Sequence, residues 1–344
     1  MIIKTRSFLS DNSAGISPQI LTAIALANDG AAPGYGADTL TTSLTERFAA
    51  LFERQVEVFL VATGTAANAL SLAACCPPWG AVLCHEHAHV IRDECGAPEF
   101  FTAGAKLYGV ASAHGKLTHD TLEKAYRSFR LNDQHQTQPG ALSLSQATEA
   151  GTVYSPRDVA RLAAWAHERK MRVHMDGARF GNAVVSLDCT PAEITWKAGV
   201  DILSFGATKN GALAAEAVIV FDPALARDMA YRRKRAGQLL SKSRFFSAQL
   251  HAYLDNDLWL RNAAHSNDMA SALADGFDAL GFELVHPVDA NELFVRMPDD
   301  VAARLRAAGF VFMDWPTAGQ GGRRLVTSPA TLEEDVSALL ALAV

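Results

Sequence analysis

Residues Val56–Leu70 read VEVFLVATGTAANAL. The first seven are almost continuously apolar, which suits a strand buried on both faces. A Gly–Thr turn follows, and then a helix opens on small residues. Strand, tight turn and helix in that order are the unit of an open α/β sheet. The unit recurs along the chain. Candidate strands are Val56–Ala62, Ala81–Cys84, Lys106–Val110, Ala141–Ser145, Arg172–Met175, Ile202–Phe205 and Ala217–Phe221. Helical stretches such as Thr65–Cys75, Thr118–Ser128 and Pro156–Arg169 lie between them. Ser155 ahead of Pro156 makes a good helix start, a capping hydroxyl followed by proline at the first helical position. The expected fold is α/β, a three-layer sandwich with a mostly parallel sheet.

Beyond Asp222 the pattern changes to a long, charged helical zone reaching about Leu280, with weak breaks at Gly237 and Asp255. Short strands are expected at Glu283–Val285, Glu292–Arg296 and Arg323–Thr327, with helices Asp299–Ala308 and Thr331–Ala343. This reads as a smaller C-terminal α+β domain. Ahead of the sheet, two helical patterns flank DGAAPGYGAD, whose glycines and proline exclude regular structure. The expected division is residues 1–50 for an N-terminal arm with helices, 51–240 for a large domain, and 241–344 for connecting helices and the small domain.

The 344 residues carry a net charge of −6. That leaves no electrostatic footprint for nucleic acid or an acidic membrane. The run Arg232, Arg233, Lys234, Arg235 reads as a solvated helix face. Five cysteines, an odd number with no C-x-x-C pair, fit neither a disulfide framework nor a zinc knuckle. The opening MIIKTRSFLSDN lacks the apolar run of a signal peptide, and no segment is apolar for long enough to span a bilayer. A reducing, cytoplasmic location is the expectation.

Three motifs carry chemistry. In Val61–Leu70 the turn at Gly64 and Thr65 presents backbone N–H groups and a hydroxyl at a helix start, which suits an anion. It equally suits a plain tight turn with Thr65 as the N-cap. The glycines of a dinucleotide fingerprint and the lysine of a P-loop are missing. In VHMDGAR, Val173–Arg179, Asp176 stands at a strand end, where open α/β sheets bind ligands. It could cap a helix or pair with a protonated ring nitrogen, while Arg179 could take a carboxylate bidentately. In ILSFGATKNGA, Ile202–Ala212, Lys209 follows a buried strand inside a small-residue loop. A desolvated lysine has a lowered pKa and becomes a Schiff-base nucleophile. Phosphate turn, strand-end Asp and strand-end Lys, in that order, are what a pyridoxal 5'-phosphate site requires.

With FLSDNSAGI, GYG, TGTAAN, EHAHV, DECGAPEFF, HMDGARF, GATKNG and RRLVTS in sequence, the chain resembles the threonine aldolase family, closest to its low-specificity L-threonine members. The resemblance covers nearly the whole chain and implies the aspartate-aminotransferase-like fold, fold type I of pyridoxal-phosphate enzymes. It implies retro-aldol cleavage of L-threonine, L-allo-threonine and related β-hydroxy-α-amino acids to glycine and an aldehyde. Lys209 would be the Schiff-base lysine, and Asp176 would keep the pyridine nitrogen protonated. Gly64, Thr65 and Thr208 would hold the phosphate, and His89 would stack on the ring. Ser10, Arg179 and Arg324 would bind the substrate carboxylate. Tyr35 and Arg244 would reach across a subunit interface, the first toward substrate and the second toward cofactor, in a homodimer or homotetramer with shared active sites.

Many relatives carry a histidine near the substrate hydroxyl where SQATEAGTV here places Glu149, so the general base is either His89 or Glu149. Ala37 also replaces an acidic residue common in the family. Arg323 stands beside Arg324, and one of the two is expected to face solvent. Two other readings stay open. The same cofactor could serve β-elimination, transamination or racemisation. Alternatively His85, His87 and His89, alternating along a strand, would share one face and suggest a metal, although no further ligand motif completes a set and no metal is expected.

Overall fold

In a computed structural model that describes residues 6–344, the chain forms the expected three-layer α/β sandwich with a smaller sheet at its C-terminal end. The start of MIIKTRSFLSDN, residues 1–5, lies outside the described residues. The main sheet holds β1 (Glu57–Val61), β2 (Gly80–His85), β3 (Lys106–Val110), β4 (Gln138–Ser145), β5 (Arg172–Gly177), β6 (Ile202–Gly206) and β7 (Glu216–Val220). Their spatial order is β1-β7-β6-β5-β4-β2-β3. Pairings among β2 to β6 are parallel, while β7 runs antiparallel to both β1 and β6.

Alternation along these strands makes the layers. Leu83, Leu203, Phe205, Ala217 and Ile219 pack into one core, and their neighbours Val82, Cys84, Ile202, Val218 and Val220 into another on the opposite face. Successive side chains of a strand point to opposite faces, so a continuously apolar strand feeds two cores. On the first face Phe205 meets Phe48 edge-on at 5.2 Å and lies 6.1 Å from Trp259, between ring centroids. A third core, with Phe8, Leu273, Phe277, Leu293, Val295, Leu325 and Leu339, belongs to the C-terminal part. There β8 (Glu283–Leu284), β9 (Glu292–Arg296), β10 (Met313–Asp314) and β11 (Gly322–Val326) form an antiparallel sheet in the order β10-β11-β9-β8.

Helices α1 (Pro18–Leu26), α2 (Thr39–Leu51), α3 (Gly64–Cys75), α4 (Pro156–Glu168), α5 (Met229–Arg235), α6 (Arg244–Leu254) and α7 (Leu258–Ala279) cover and connect the sheets. Ser155 caps α4 through the Asp158 N–H, as expected. α3 is capped by Thr63, not Thr65: the Thr63 hydroxyl accepts from the Ala66 N–H. The basic run closing α5 is not uniformly solvated, because the Arg233 guanidinium lies over the Phe59 ring at 5.6 Å. Among the described residues no helix is long and apolar enough to cross a membrane.

Candidate active site

All the parallel strands deliver their C-terminal ends to one side of the sheet, and a cavity of about 400 Å³ opens there. Thr63, Gly64 and Thr65 come from the turn after β1, His89 from beyond β2, and Ser145 and Glu149 from the end of β4 and beyond. Asp176 and Arg179 come from the end of β5, Thr208 and Lys209 from the turn after β6, and Glu216 from the start of β7. Such a site needs no special loop. It follows from sheet topology.

The Lys209 turn is held from several sides. The buried Asn210 amide donates to the Tyr253 hydroxyl and to the Trp259 carbonyl, both at 2.8 Å. The Gly211 carbonyl accepts from the Ser17 N–H at 2.9 Å. Gly211 has φ of +108°, and a Cβ there would collide with the Ser17 side chain. Glycine is therefore required for the turn to close against α1.

Asp176 is buried, with one oxygen accepting from the Ala178 N–H at 3.1 Å and the other from the Asn68 amide at 2.8 Å. The same amide donates to Glu94 Oε1 at 2.8 Å, and that oxygen is 2.9 Å from His89 Nδ1. The hydrogen bond that His89 donates to Glu94 raises the His89 pKa above the ordinary value. Beneath Asp176 the buried His174 bridges the Ser143 and Ser204 hydroxyls, and burial pushes its pKa down to about 4.

Glu149 differs from the other carboxylates in how its two oxygens are served. Oε1 accepts from the Ser145 hydroxyl at 2.7 Å and from the His89 N–H at 2.8 Å. Oε2 is shut away from water with no partner. Burial, seconded by the nearby Asp176 charge, pushes this carboxyl up to about 7.

Of the residues expected at the site, Gly64, Thr65, His89, Glu149, Asp176, Arg179, Thr208 and Lys209 meet around one cavity. Ser10 stands beside it as a cap, accepting from the Asn12 N–H at 3.2 Å, while Asn12 lines the cavity. Tyr35 and Arg244 lie outside it. Tyr35 is 58% exposed, and Arg244 donates to the Gly30 carbonyl at 3.0 Å. The expectation for Arg323 and Arg324 is corrected, since neither faces solvent: their side chains are 9% and 14% exposed. Arg323 pairs with Asp299 and Asp314, and Arg324 with Glu292.

Arg179 is not a free clamp either. It grips Asp11 bidentately, Nε to Oδ2 at 2.7 Å and Nη2 to Oδ1 at 3.1 Å, and its Nη1 lies 3.1 Å from Glu292 Oε2. Burial disfavours its charge, but Asp11 and Glu292 outweigh that and hold its pKa above the ordinary value. The three histidines do not share a strand face. β2 ends at His85, which bonds the Ser112 carbonyl, and His89 opens a separate helical turn. Among the described residues no group of three or more His, Cys, Asp or Glu side chains is arranged to hold a metal ion.

Asp11, Asn68, Glu94, Ser145, Glu216 and Glu292 escaped the sequence reading. Two left a signal: Glu216 and Glu292 are carboxylates directly ahead of the apolar runs AVIV and LFV, a placement that demands a partner or a proton when buried.

The cavity suits pyridoxal phosphate on its own terms. The first-turn N–H groups of α3 lack intrahelical acceptors, and open space stands where Gly64 would carry a Cβ. A lysine and a buried aspartate complete the set. Comparisons with known proteins agree. The family model described as Beta-eliminating lyase matches residues 7–300. A low specificity L-threonine aldolase from Pseudomonas sp. (strain NCIMB 10558) is 43% identical, over 99% of this chain and 98% of that protein. The solved threonine aldolase of Leishmania major superposes with a TM-score of 0.92 at 30% identity, covering 98% of each chain. Aspartate aminotransferase from Thermus thermophilus superposes at 0.71 with 18% identity, over 98% of this chain and 90% of the other, a likeness of fold alone.

Proposed function

The chain belongs to the beta-eliminating lyase family, within it to the threonine aldolases, and from that premise we propose that it cleaves L-threonine, L-allo-threonine and related β-hydroxy-α-amino acids to glycine and an aldehyde. It is a pyridoxal-phosphate-dependent lyase. When bound, the cofactor supplies an electron sink for the pair released from the broken Cα–Cβ bond.

The remaining work falls to side chains of this chain. We assign Lys209 as the amine that holds the cofactor, Asp176 as the anion that keeps its ring nitrogen protonated, and His89 as the face against which the ring lies. Gly64, Thr65 and Thr208 take the phosphate. Arg179 and Arg324 orient the substrate carboxylate. Both already hold carboxylates, so an incoming anion shares their donors with Asp11 and Glu292. We assign the proton of the substrate β-hydroxyl to Glu149 rather than His89. One observation supports this: Glu149 lines the cavity that holds Lys209 and Asp176 and keeps one carboxyl oxygen, Oε2, without a partner, whereas His89 Nδ1 is already bonded to Glu94. A proton acceptor placed for a hydroxyl favours retro-aldol cleavage over transamination or racemisation, which need none there.

Tyr35 and Arg244 belong in this reading to the active site of a second subunit, in a cytoplasmic homodimer or homotetramer. Their support is position: exposed Tyr35 and half-buried Arg244 lie outside the cavity on neighbouring segments, joined by the Tyr35 N–H to Ser241 carbonyl bond at 3.0 Å and the Arg244 to Gly30 bond.

Product analysis decides the reaction. Threonine and allo-threonine should each yield equimolar glycine and acetaldehyde. A 2-oxo acid in place of glycine would mean β-elimination and would overturn the assignment.

A further inference from the structure

Glu149 does not sit on β4 itself but on the tight turn that follows it. The Thr148 N–H donates to the Thr152 carbonyl at 2.9 Å and the Gly151 N–H to the Thr148 carbonyl at 3.0 Å, which closes the turn. The Thr148 and Thr152 hydroxyls meet across its base at 2.8 Å. A turn this short can tip as a body, and its tip carries the proposed proton acceptor. What fixes it from outside therefore decides where the Glu149 carboxyl stands.

One outside hold comes from the loop after β3, where the Thr152 hydroxyl donates to the His114 carbonyl at 2.6 Å. Another comes from the segment that enters β9, and Asp289 supplies both of its bonds. The Asp289 N–H donates to the Gly151 carbonyl at 3.2 Å, and Asp289 Oδ2 accepts from the Val153 N–H at 3.0 Å. One residue thus grips the turn on either side of Thr152. Gly151 has φ of +74°, and a Cβ there would collide with the Glu292 carbonyl, so turn and segment lie backbone against backbone. That segment is itself anchored. Its Glu292 holds Arg179 and Arg324, and the Asn291 amide donates to Asp11 Oδ2 at 3.0 Å. Asp289 lies outside the cavity lining, so any part it plays in the chemistry is played through a neighbour.

We infer that Asp289 is a positioning residue for the proton transfer: by gripping the Glu149 turn at Gly151 and Val153, it fixes that turn to the segment whose Glu292 holds the two arginines assigned to the substrate carboxylate. The inference rests on the reading of Glu149 as the acceptor of the β-hydroxyl proton. It gives that acceptor and the carboxylate clamp a common frame. Ser145 and His89 bond the Glu149 carboxyl, whereas Asp289 holds the backbone that carries it. A reacting group displaced by about 1 Å can cost about 10²-fold in rate, so a loosened turn reads out in kcat.

A double-mutant cycle on the cofactor-loaded enzyme provides the test. Asp289→Ala removes the acceptor for the Val153 N–H. It should lower kcat for threonine cleavage by about tenfold or more, with KM changed by about twofold or less. Asp289→Asn keeps an oxygen in place and should restore most of the rate. In a Glu149→Gln background, Asp289→Ala should cost about twofold at most, because the group it positions is already gone. An equal loss in both backgrounds makes Asp289 a merely structural residue and overturns the inference, as does full activity of Asp289→Ala. Independent of turnover, amide hydrogen exchange in the cofactor-free chain should speed up at Val153 in Asp289→Ala and return toward normal in Asp289→Asn. Unchanged exchange is equally fatal. If Asp289→Ala does not fold, Asp289→Glu, with its acceptor one methylene out of place, takes its position in the cycle. Full activity of Glu149→Gln by itself would remove Glu149 as the proton acceptor and this inference with it.

Discussion

A carboxyl with one oxygen bonded and the other sealed from water is poised to change its charge near neutrality, and Glu149 is in that state. Its ordinary pKa of 4.5 is raised to about 7, so the fraction able to accept a proton grows as pH rises through neutrality. The kcat of the cofactor-saturated enzyme should therefore climb through about pH 7. Glu149→Gln should lower kcat by about 10²–10⁴-fold and abolish that rise, as a kcat–pH profile would show. A variant retaining both the rate and the rise would return the role to His89. How the sequence disclosed this site is instructive. Lys209, Asp176 and Thr65 stood out because each sits at the end of an apolar strand or in the turn after it. Asn68 and Glu94 lay inside stretches that had drawn notice for other reasons, yet nothing in one dimension ties residues 68, 89, 94 and 176 together. Their connection is made by one amide, and an amide donating to two carboxylates has no sequence signature.

Elements were easier to read than their directions. The expected strands fall within a few residues of those observed, since apolar runs bounded by turns are a local signal. That β7 runs against its neighbours was not read, although a clue was present. The connection Ala207–Ala215 is too short to carry a chain back across the sheet, which takes a dozen or more residues. The two-residue strands Arg6–Ser7 and Phe310–Val311, paired in parallel across most of the chain's length, left no local trace. β6 is the element on which the site leans hardest. Its Phe205 is fully buried between Phe48, Phe180, Tyr253 and Trp259, directly ahead of the Lys209 turn. Phe205→Ala should cost about 3–5 kcal/mol, read as a lowered urea midpoint, with cofactor affinity falling as the turn loses its floor.

Across the whole molecule, the knot of Asp11, Arg179, Glu292 and Arg324 joins the N-terminal segment, the end of β5 and the small sheet at the edge of the cavity. Two cations and two anions balance there, all four side chains almost wholly buried. Removing one partner leaves charge without compensation. Glu292→Leu should destabilise the protein by about 3–5 kcal/mol in denaturant unfolding, and a loss under 1 kcal/mol would show that the knot is solvated and weak. The same knot sets a schedule for manufacture. Asp11 leaves the ribosome first, then Arg179, and only then Glu292 and Arg324. Strands β1 to β7 and Lys209 all precede Glu292 in the chain, so until Glu292 has emerged Arg179 has only Asp11 to hold. The residues assigned to the cofactor thus all leave the ribosome before the carboxylate that completes the edge proposed to face substrate.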